Sequence, residues 1–450
     1  MKVFVKRTFT KKFFLTFIIL SLILIGYTKD KEIDDILPFL DKGVGYWEKT
    51  GNLVIPRDTF ASAVLLTDGN VLISGGYGNK QYQNTAEIYY PKENVFRLTG
   101  NLNHRRAGHS SFLLKDGRVV ILGGISTNKE RYTNDVEMYL PKEHKFVITD
   151  TLPEKFEDDS VLLNNDYIVS QKAIYNPITK DYKKIDINYA RGGANPINLN
   201  NSIYVTDGWV IKDYPYGKLN NTIKPNQEEG YILTNKVEKY DLKNKSYDLV
   251  GESVIPKVSA GHIQLSNNKI LTVGGRVYKK AGSGSHNGVL DYNTYKYNIM
   301  PLYKKDFKKD YWWWKDCNQN LEIYDIINNS SKIVGQKLKY AFGNHSNSDL
   351  ILLQNRYVFV ANGLGRRAEL IDTQTWENYP VKKMPKPILT SSIPIKIDEN
   401  TILFIGTHIY KNLPYGYIFR LDSLKTKETI ENVSWIKLIR NLAVERMFSH

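Results

Sequence analysis

The chain repeats one pattern of apolar strands separated by polar turns. Residues 57–98 and 105–151 each contain an apolar strand that ends in two glycines and then a strand of alternating acidic, apolar and aromatic residues. The Asp68-Gly69 and Asp116-Gly117 turns lie 48 residues apart, and Gly75-Gly76 and Gly123-Gly124 have the same spacing. A repeat of roughly 50 residues made of short strands is typical of a β-propeller blade.

Two landmarks of this repeat recur along the chain, and each has seven members. The glycine-ended strands lie at residues 71–76, 119–124, 167–170, 204–208, 270–275, 357–363 and 402–406. The acidic-aromatic strands lie at residues 87–91, 137–141, 173–177, 238–242, 322–326, 369–373 and 417–422. The pattern predicts an all-β fold with seven blades between residues 47 and 450, and six blades are the alternative. Long insertions are predicted at residues 209–235 and 276–320.

Ring closure has two candidate strands. Residues 47–53, WEKTGNL, have the pattern of the strand that normally follows a blade, and residues 435–438, WIKL, have it as well. One of them is expected to complete the last blade.

The segment from Gly108 to Phe146, which contains GHSS, DGRVVILGG and EMYLP, resembles the kelch repeat of the galactose-oxidase type found in exported bacterial proteins. The resemblance is strongest over residues 51–152 and extends to residues 257–275 and 318–325. Phe96 and Phe146 stand where the repeat usually has a tryptophan. The resemblance implies a propeller, and exported kelch propellers include a sialic-acid mutarotase.

The N-terminus has the layout of an export signal. Five basic residues lie within the first 12 positions, and the uncharged segment FFLTFIILSLILIGY follows at residues 13–27. A basic start, an apolar stretch and a polar exit are typical of a signal peptide. An uncleaved membrane anchor is the alternative. We therefore assign residues 1–28 to a signal or anchor, residues 29–46 to a linker and residues 47–450 to the propeller, and we predict a periplasmic, cell-surface or secreted location.

The charge and the cysteine count narrow the function classes. The formal net charge is +15, but the excess outside the N-terminal segment is spread along the chain without a compact basic run. Nucleic-acid binding needs clustered positive charge, so no nucleic-acid partner is predicted. Cys317 is the sole cysteine, so the chain forms no intrachain disulfide.

Basic residues at repeated positions are the first candidate ligand site. They lie at blade starts or just after the second strands, at Arg57, Arg105, Arg106, Arg191, Lys257, Arg276, Arg366 and Arg367. Guanidinium groups bind carboxylates through two parallel hydrogen bonds, so an acidic small molecule is the ligand that they predict. In the alternative interpretation these arginines bond backbone carbonyls and hold neighbouring blades together.

The aromatic insertion at residues 276–320 is the second candidate. Trp312, Trp313 and Trp314 are consecutive, and successive side chains of a strand point to opposite faces. At least one indole is therefore expected to be exposed for contact with a glycan or a partner. Packing within the insertion is the alternative.

Metal and cofactor chemistry are not predicted. His109, His262 and His345 recur in different blades and are expected to hold strand ends by hydrogen bonds. The copper-radical chemistry of galactose oxidase needs a cysteine linked to a tyrosine, whereas Cys317 lies in an insertion and the chain has no Tyr-His dipeptide.

The sequence thus predicts an exported, kelch-type propeller that binds a glycan or a surface protein, with no cofactor and with an N-terminal tether as one option. The alternative is an enzyme that acts on a carboxylated sugar, such as a mutarotase-like epimerase. A purely structural surface protein is the third interpretation.

Overall fold

The structure is a computed structural model that describes 43–57, 60–78, 81–126, 133–156, 160–170, 173–185, 194, 196–200, 202–211, 231–241, 246–265, 268–276, 318–338, 350–361, 368–385, 393–405 and 415–421. All of the regular elements among these residues are β-strands. Within this part of the chain, no helix is long and apolar enough to cross a membrane. The predicted signal or anchor lies outside the described residues.

The strands form seven four-stranded antiparallel sheets, the blades, as the sequence predicts. The six-blade alternative is wrong. Blades 1 to 3 follow one another along the chain. Blade 1 contains β2 (Ala61–Leu65), β3 (Val71–Gly75), β6 (Ala86–Tyr90) and β7 (Val95–Leu98), with a separate hairpin of β4 (Tyr77–Gly78) and β5 (Gln81–Tyr82). Blade 2 contains β8 (Ser110–Leu113), β9 (Val119–Leu122), β10 (Asp135–Leu140) and β11 (Lys145–Thr151). Blade 3 contains β12 (Val161–Leu162), β13 (Ile168–Val169), β14 (Ala173–Asn176) and β15 (Asp181–Lys184).

Blades 4 to 7 complete the ring. Blade 4 contains β16 (Ile197–Leu199), β17 (Ser202–Thr206), β20 (Lys236–Asp241) and β21 (Ser246–Glu252), with a hairpin of β18 (Trp209–Ile211) and β19 (Tyr231–Leu233). Blade 5 contains β22 (Val258–Leu265), β23 (Lys269–Arg276), β24 (Leu321–Asp325) and β25 (Ser330–Val334). Blade 6 contains β26 (Leu350–Leu353), β27 (Tyr357–Val360), β28 (Glu369–Asp372) and β29 (Asn378–Pro380). Blade 7 contains β30 (Ile393–Asp398), β31 (Thr401–Ile405), β32 (Tyr415–Arg420) and β1 (Tyr46–Asn52).

The strand β1 closes the ring. It pairs antiparallel with β32, and Trp47 lies opposite Phe419. The Trp47 ring packs against Phe404 and Phe419 of blade 7 at centroid distances of 5.2 Å and against Phe359 of blade 6 at 6.4 Å. Its indole Nε1 donates a hydrogen bond to the carbonyl of Lys382 over 2.6 Å. Of the two candidates, residues 47–53 therefore complete the last blade, and residues 435–438 lie outside the described residues.

The core lies between neighbouring blades. The second strands β3 and β9 are buried at every position because each lies inside a sheet and is covered on both faces. Leu72 of blade 1 belongs to the same apolar cluster as Val119 and Tyr139 of blade 2. The Tyr89 and Phe96 rings pack 4.6 Å apart, and Tyr139 and Phe146 repeat this contact at 4.7 Å. Phe96 and Phe146 therefore pack against the third-strand tyrosines of their own blades.

The strand directions define two opposite faces of the ring. First and third strands begin, and second and fourth strands end, on the face that we call the loop face. The hairpins β4–β5 and β18–β19 both follow second strands and so lie on the loop face. The opposite, turn face carries the Asp-Gly turns, where Gly69 and Gly117 have φ of 83° and 87°. This positive φ is the reason for glycine there.

Candidate functional site

The guanidinium of Arg57 lies inside blade 1. Its side chain and that of Glu87 are both 0% exposed, and Nη2 lies 2.7 Å from Glu87 Oε1. The Nη1 group donates to the carbonyl oxygens of Gly75 and Thr85 over 2.9 Å each. Glu87 also accepts hydrogen bonds from the backbone N–H groups of Val54 and Ile55. Arg57 and Glu87 therefore join the entry of the blade to its second and third strands.

The same arrangement recurs in blades 2 and 5. Arg106 Nη2 lies 3.0 Å from Glu137 Oε1, both side chains are 0% exposed, and Nη1 donates to the carbonyl of Gly123. Lys257 Nζ lies 2.6 Å from Glu322 Oε2, again in the interior. Glu87, Glu137 and Glu322 occupy equivalent positions in their third strands. Each lies opposite a second-strand residue that precedes the first glycine of the Gly-Gly pair by two positions. We call each of these buried pairs a blade clamp.

Burial at the blade clamps corrects the predicted ligand site. Desolvation lowers the pKa of Arg57 and Arg106, although Glu87 and Glu137 oppose this shift. Their guanidinium groups have no exposed surface, so a ligand in the surrounding water cannot reach them in this structure. Arg57 and Arg106 therefore take the alternative role, in which they bond backbone carbonyls and hold strands together.

The two described histidines of the repeats are structural as well. His109 Nε2 lies 2.9 Å from Ser74 Oγ of blade 1, and His262 Nδ1 lies 3.0 Å from Thr272 Oγ1. Burial lowers the pKa of each to about 3, so both rings are neutral at physiological pH. Both form the expected hydrogen bonds, His109 directly before the start of β8 and His262 in the middle of β22 rather than at a strand end. Their register differs, however, because His262 lies opposite Thr272 whereas Ser110, the neighbour of His109, lies opposite Leu122.

The loop face of blade 1 exposes aromatic rings around the β4–β5 hairpin. Tyr77 is 39% exposed, and its ring meets that of Tyr82 edge to face at 5.5 Å. Phe60, immediately before β2, is 49% exposed on the same face. The buried Gln83 side chain crosses the hairpin and donates from Nε2 to the carbonyl of Gly78 over 2.6 Å. This hydrogen bond stabilises the hairpin that carries the tyrosine rings.

Arg105 lies beside this hairpin and is exposed, unlike Arg106. The backbone of Arg106 donates to the carbonyl of Gln83 and accepts from the N–H of Gly76. These bonds hold the connection between blades 1 and 2 against the base of the hairpin. Arg105 Nη1 then donates to Gln81 Oε1 over 2.5 Å and to the Tyr82 carbonyl over 3.3 Å. Among the predicted basic residues with described side chains, Arg105 is the one on the surface.

A histidine on the connection between blades 1 and 2 lies in contact with a carboxylate of blade 2. His104 Nε2 lies 2.7 Å from Asp135 Oδ2, and the two side chains are 28% and 26% exposed. His104 belongs to the blade 1–2 connection and Asp135 begins a third strand, so the pair also lies on the loop face. Imidazole and carboxylate side chains are the ones that general acid–base catalysis most often uses.

A cavity of about 360 Å³ is bounded by the first strands of blades 2 to 5. Its walls combine apolar residues such as Phe112 and Ile197 with polar residues such as Ser160 and Asn198. Ser160 donates to Ser110 Oγ, and Asn198 Nδ2 donates to the Leu162 carbonyl. Among the described lining residues none carries a full charge at neutral pH, so this cavity does not suit an acidic ligand.

The other predicted site residues are not placed. Arg276 ends β23, but its side chain is outside the described part of the structure. The following predicted residues lie outside the described residues altogether: Arg191, Arg366, Arg367, Trp312, Trp313, Trp314 and His345.

Sequence reasoning missed the acid of each blade clamp and the aromatic hairpin. Glu87, Glu137 and Glu322 were landmarks of the third strand, and each follows a basic blade start in the same repeat. That joint recurrence was a usable signal for ion pairing. The hairpin left a weaker signal, the two tyrosines that flank residues 78–81 directly after the Gly-Gly pair.

The described residues do not fit a copper site. No three histidine, cysteine, aspartate or glutamate side chains within the described ranges come together as metal ligands. The two buried histidines are hydrogen-bonded to hydroxyl groups, and Cys317 lies outside these ranges. We therefore derive no step through copper.

Comparison with known proteins supports the fold and goes no further. No family model matches the chain. No curated protein matches it by sequence. Among solved structures, it is similar to a fungal alcohol oxidase of the AA5 family in complex with copper, with a TM-score of 0.56 and 15% identity over 84% of this chain and 76% of that one. This similarity shows a propeller with a neighbour in the galactose-oxidase-like family, and at this identity it shows the fold alone.

Proposed function

We propose that the chain is a binding module and that its loop face binds a glycan. The observation that supports this proposal is the tyrosine pair of the β4–β5 hairpin, in which Tyr77 is 39% exposed and Tyr82 is half-buried, with Phe60 at the same blade entry 49% exposed. Aromatic rings have flat apolar faces with polar edges, which suit the C–H faces of a sugar ring. A protein that binds the same face is the alternative ligand.

The roles of the buried cations favour a surface site. Arg57, Arg106 and Lys257 are buried and ion-paired in blade clamps, so they are not accessible to a ligand. The ligand would therefore be bound by exposed groups on the β4–β5 hairpin and on the connection between blades 1 and 2. On the N-terminal sequence alone, we further propose that this module is exported and meets its ligand outside the cytoplasm.

A second candidate function rests on the contact between His104 and Asp135. An epimerase that acts on a carboxylated sugar needs an acid/base group at its site, and this half-buried pair is one on the loop face. Proton NMR of N-acetylneuraminic acid anomers with catalytic amounts of protein separates the two functions. A binding module leaves the rate of anomer exchange unchanged, whereas an enzyme accelerates it and loses that effect in His104→Gln.

The proposal is tested with a panel of immobilised glycans and the full chain. Tyr77→Ala is compared with Tyr46→Ala, because Tyr46 is a similarly exposed tyrosine (40%) that begins β1 on the turn face. We expect Tyr77→Ala to weaken glycan binding about tenfold, which corresponds to about 1.4 kcal/mol, and Tyr46→Ala to bind as the wild type does. Equal binding by both variants would place the site elsewhere. Absence of any glycan signal, together with a protein ligand that is sensitive to Tyr77→Ala, would support the alternative ligand.

A further inference from the structure

Arg105 differs from the other arginines whose side chains the structure describes. Arg57 and Arg106 pair with buried glutamates, and the exposed or half-buried arginines 97, 118, 356 and 420 pair with Glu93, Asp116, Asp372 and Glu48. Among the arginines whose side chains are described, Arg105 alone has no carboxylate partner. Its hydrogen-bond acceptors, Gln81 Oε1 and the Tyr82 carbonyl, are both neutral.

The guanidinium of Arg105 is held in place, but some of its hydrogen-bond donors have no acceptor among the described residues. Both of its hydrogen bonds use Nη1, and Nε and Nη2 make no hydrogen bond with the described residues. The acceptors lie on the hairpin that Gln83 braces, and the backbone of the next residue, Arg106, is hydrogen-bonded to Gln83 and Gly76, so blade 1 positions the guanidinium. A planar guanidinium with two parallel N–H groups free matches the two oxygens of a carboxylate. Because it is pre-oriented, less side-chain entropy is lost on binding.

The hairpin places this cation beside aromatic rings. Arg105 Nη1 contacts the backbone of Tyr82, whose ring packs against Tyr77. A ligand that uses both features must combine a carboxylate with a ring that has an apolar face. An acidic sugar has both, whereas an acidic peptide side chain supplies the carboxylate alone. The uncharged cavity between blades 2 and 5 offers no comparable cation among its described lining residues.

We propose that Arg105, Tyr77 and Tyr82 form a subsite for a uronic or sialic acid residue and its carboxylate. This inference rests on the proposed function and narrows its ligand to acidic glycans. Arg105 binds the carboxylate through Nε and Nη2, and Tyr77 and Tyr82 contact the sugar ring. Arg105 was one of eight basic positions singled out in the sequence, and the structure supplies the reason to prefer it.

The experiment is calorimetric titration of the full chain with two matched pairs of probes. Trigalacturonate is compared with a neutral galactose trimer, and sialyllactose with its methyl ester, so that each pair differs in the acidic group. The variants are Arg105→Ala, Arg105→Lys, Tyr77→Ala and the control Arg97→Ala, which removes an exposed arginine on the outer strand of the same blade. We expect at least one acidic probe to bind at least tenfold more tightly than its neutral partner. Arg105→Ala should abolish that preference, Arg105→Lys should restore only part of it, and Arg97→Ala should retain it.

Three outcomes overturn the inference and can be told apart. If acidic and neutral probes bind equally and only Tyr77→Ala weakens them, the glycan module stands and the carboxylate subsite is wrong. If no probe binds, both proposals fail for these glycans. A short polyglutamate peptide that binds as tightly as trigalacturonate would also contradict the assignment to a sugar.

Discussion

Removal of the buried guanidinium of Arg106 tests the blade clamp against the ligand-binding role that the sequence first suggested. In Arg106→Ala, Glu137 remains 0% exposed and retains only the N–H donors of Asn103 and His104. The carbonyls of Gly123 and Asp135 lose their donors as well. Removal of one partner from a buried ion pair costs about 3–5 kcal/mol because a buried charge is left uncompensated.

The expected shift in melting temperature follows from the size of the ring. Unfolding entropy of about 2.1 cal/mol/K per residue gives roughly 0.8 kcal/mol/K for a domain of roughly 380 residues. A loss of about 3–5 kcal/mol should therefore lower the Tm by about 4–6 °C. Arg105→Ala is the matched control, since exposed substitutions usually stay within about 0.5 kcal/mol, or less than about 1 °C here.

Differential scanning calorimetry of the wild type and both single variants measures these shifts. A third variant, Arg106→Met with Glu137→Leu, removes both charges and should recover part of the lost stability, because well-packed apolar pairs can replace buried ion pairs. The reasoning is refuted if Arg106→Ala melts with the wild type. It is equally refuted if Arg105→Ala loses as much stability as Arg106→Ala.

Two further predictions concern the buried histidines and the closing strand. Burial lowers the pKa of His109 and His262 to about 3 from the ordinary 6.5, so below pH 6.5 the unfolded chain binds protons that the folded chain excludes. The unfolding free energy should therefore fall by about 1.4 kcal/mol per pH unit and per histidine between roughly pH 6 and pH 4. Denaturant titrations at pH 7 and pH 5 measure this loss, and an unchanged loss in His109→Gln would exclude His109 as a contributor. Trp47→Ala removes three aromatic contacts and should cost about 3–5 kcal/mol, with faster amide exchange in β32; wild-type exchange in β32 would argue against closure by β1.

The parts of the fold that depend on local, repeated chemistry could be predicted from sequence. The Gly-Gly pairs end second strands where space is short: a Cβ on Gly75 would lie 2.5 Å from the carbonyl oxygen of Arg106. The Asp-Gly turns need positive φ, and Gly69 and Gly117 have it. Seven repeats of each landmark therefore gave the blade count. The sequence did not decide which of two segments closes the ring. That choice depends on the pairing of Trp47 with Phe419, more than 370 residues away along the chain.

The candidate site was harder to predict because it depends on which groups are buried. Arg105 and Arg106 are identical neighbours in the sequence, yet one is on the surface and the other is inside. The difference comes from the bonds of Arg106 to Gln83, Gly76 and Glu137, which bring together segments of two blades. No residue pattern within a single blade contains that information. The aromatic hairpin was overlooked for a similar reason, since Tyr77 and Tyr82 face each other only once the hairpin has formed.

Hydrogen–deuterium exchange with saturating trigalacturonate tests the central claim, that the loop face of blade 1 binds an acidic glycan, most directly. The account predicts slower exchange at residues 76–78, 81–83 and 103–106. It also predicts unchanged exchange in the turns at residues 91–94 and 141–144 on the opposite face. Protection confined to those turns, or no change on the loop face of blade 1, would contradict it.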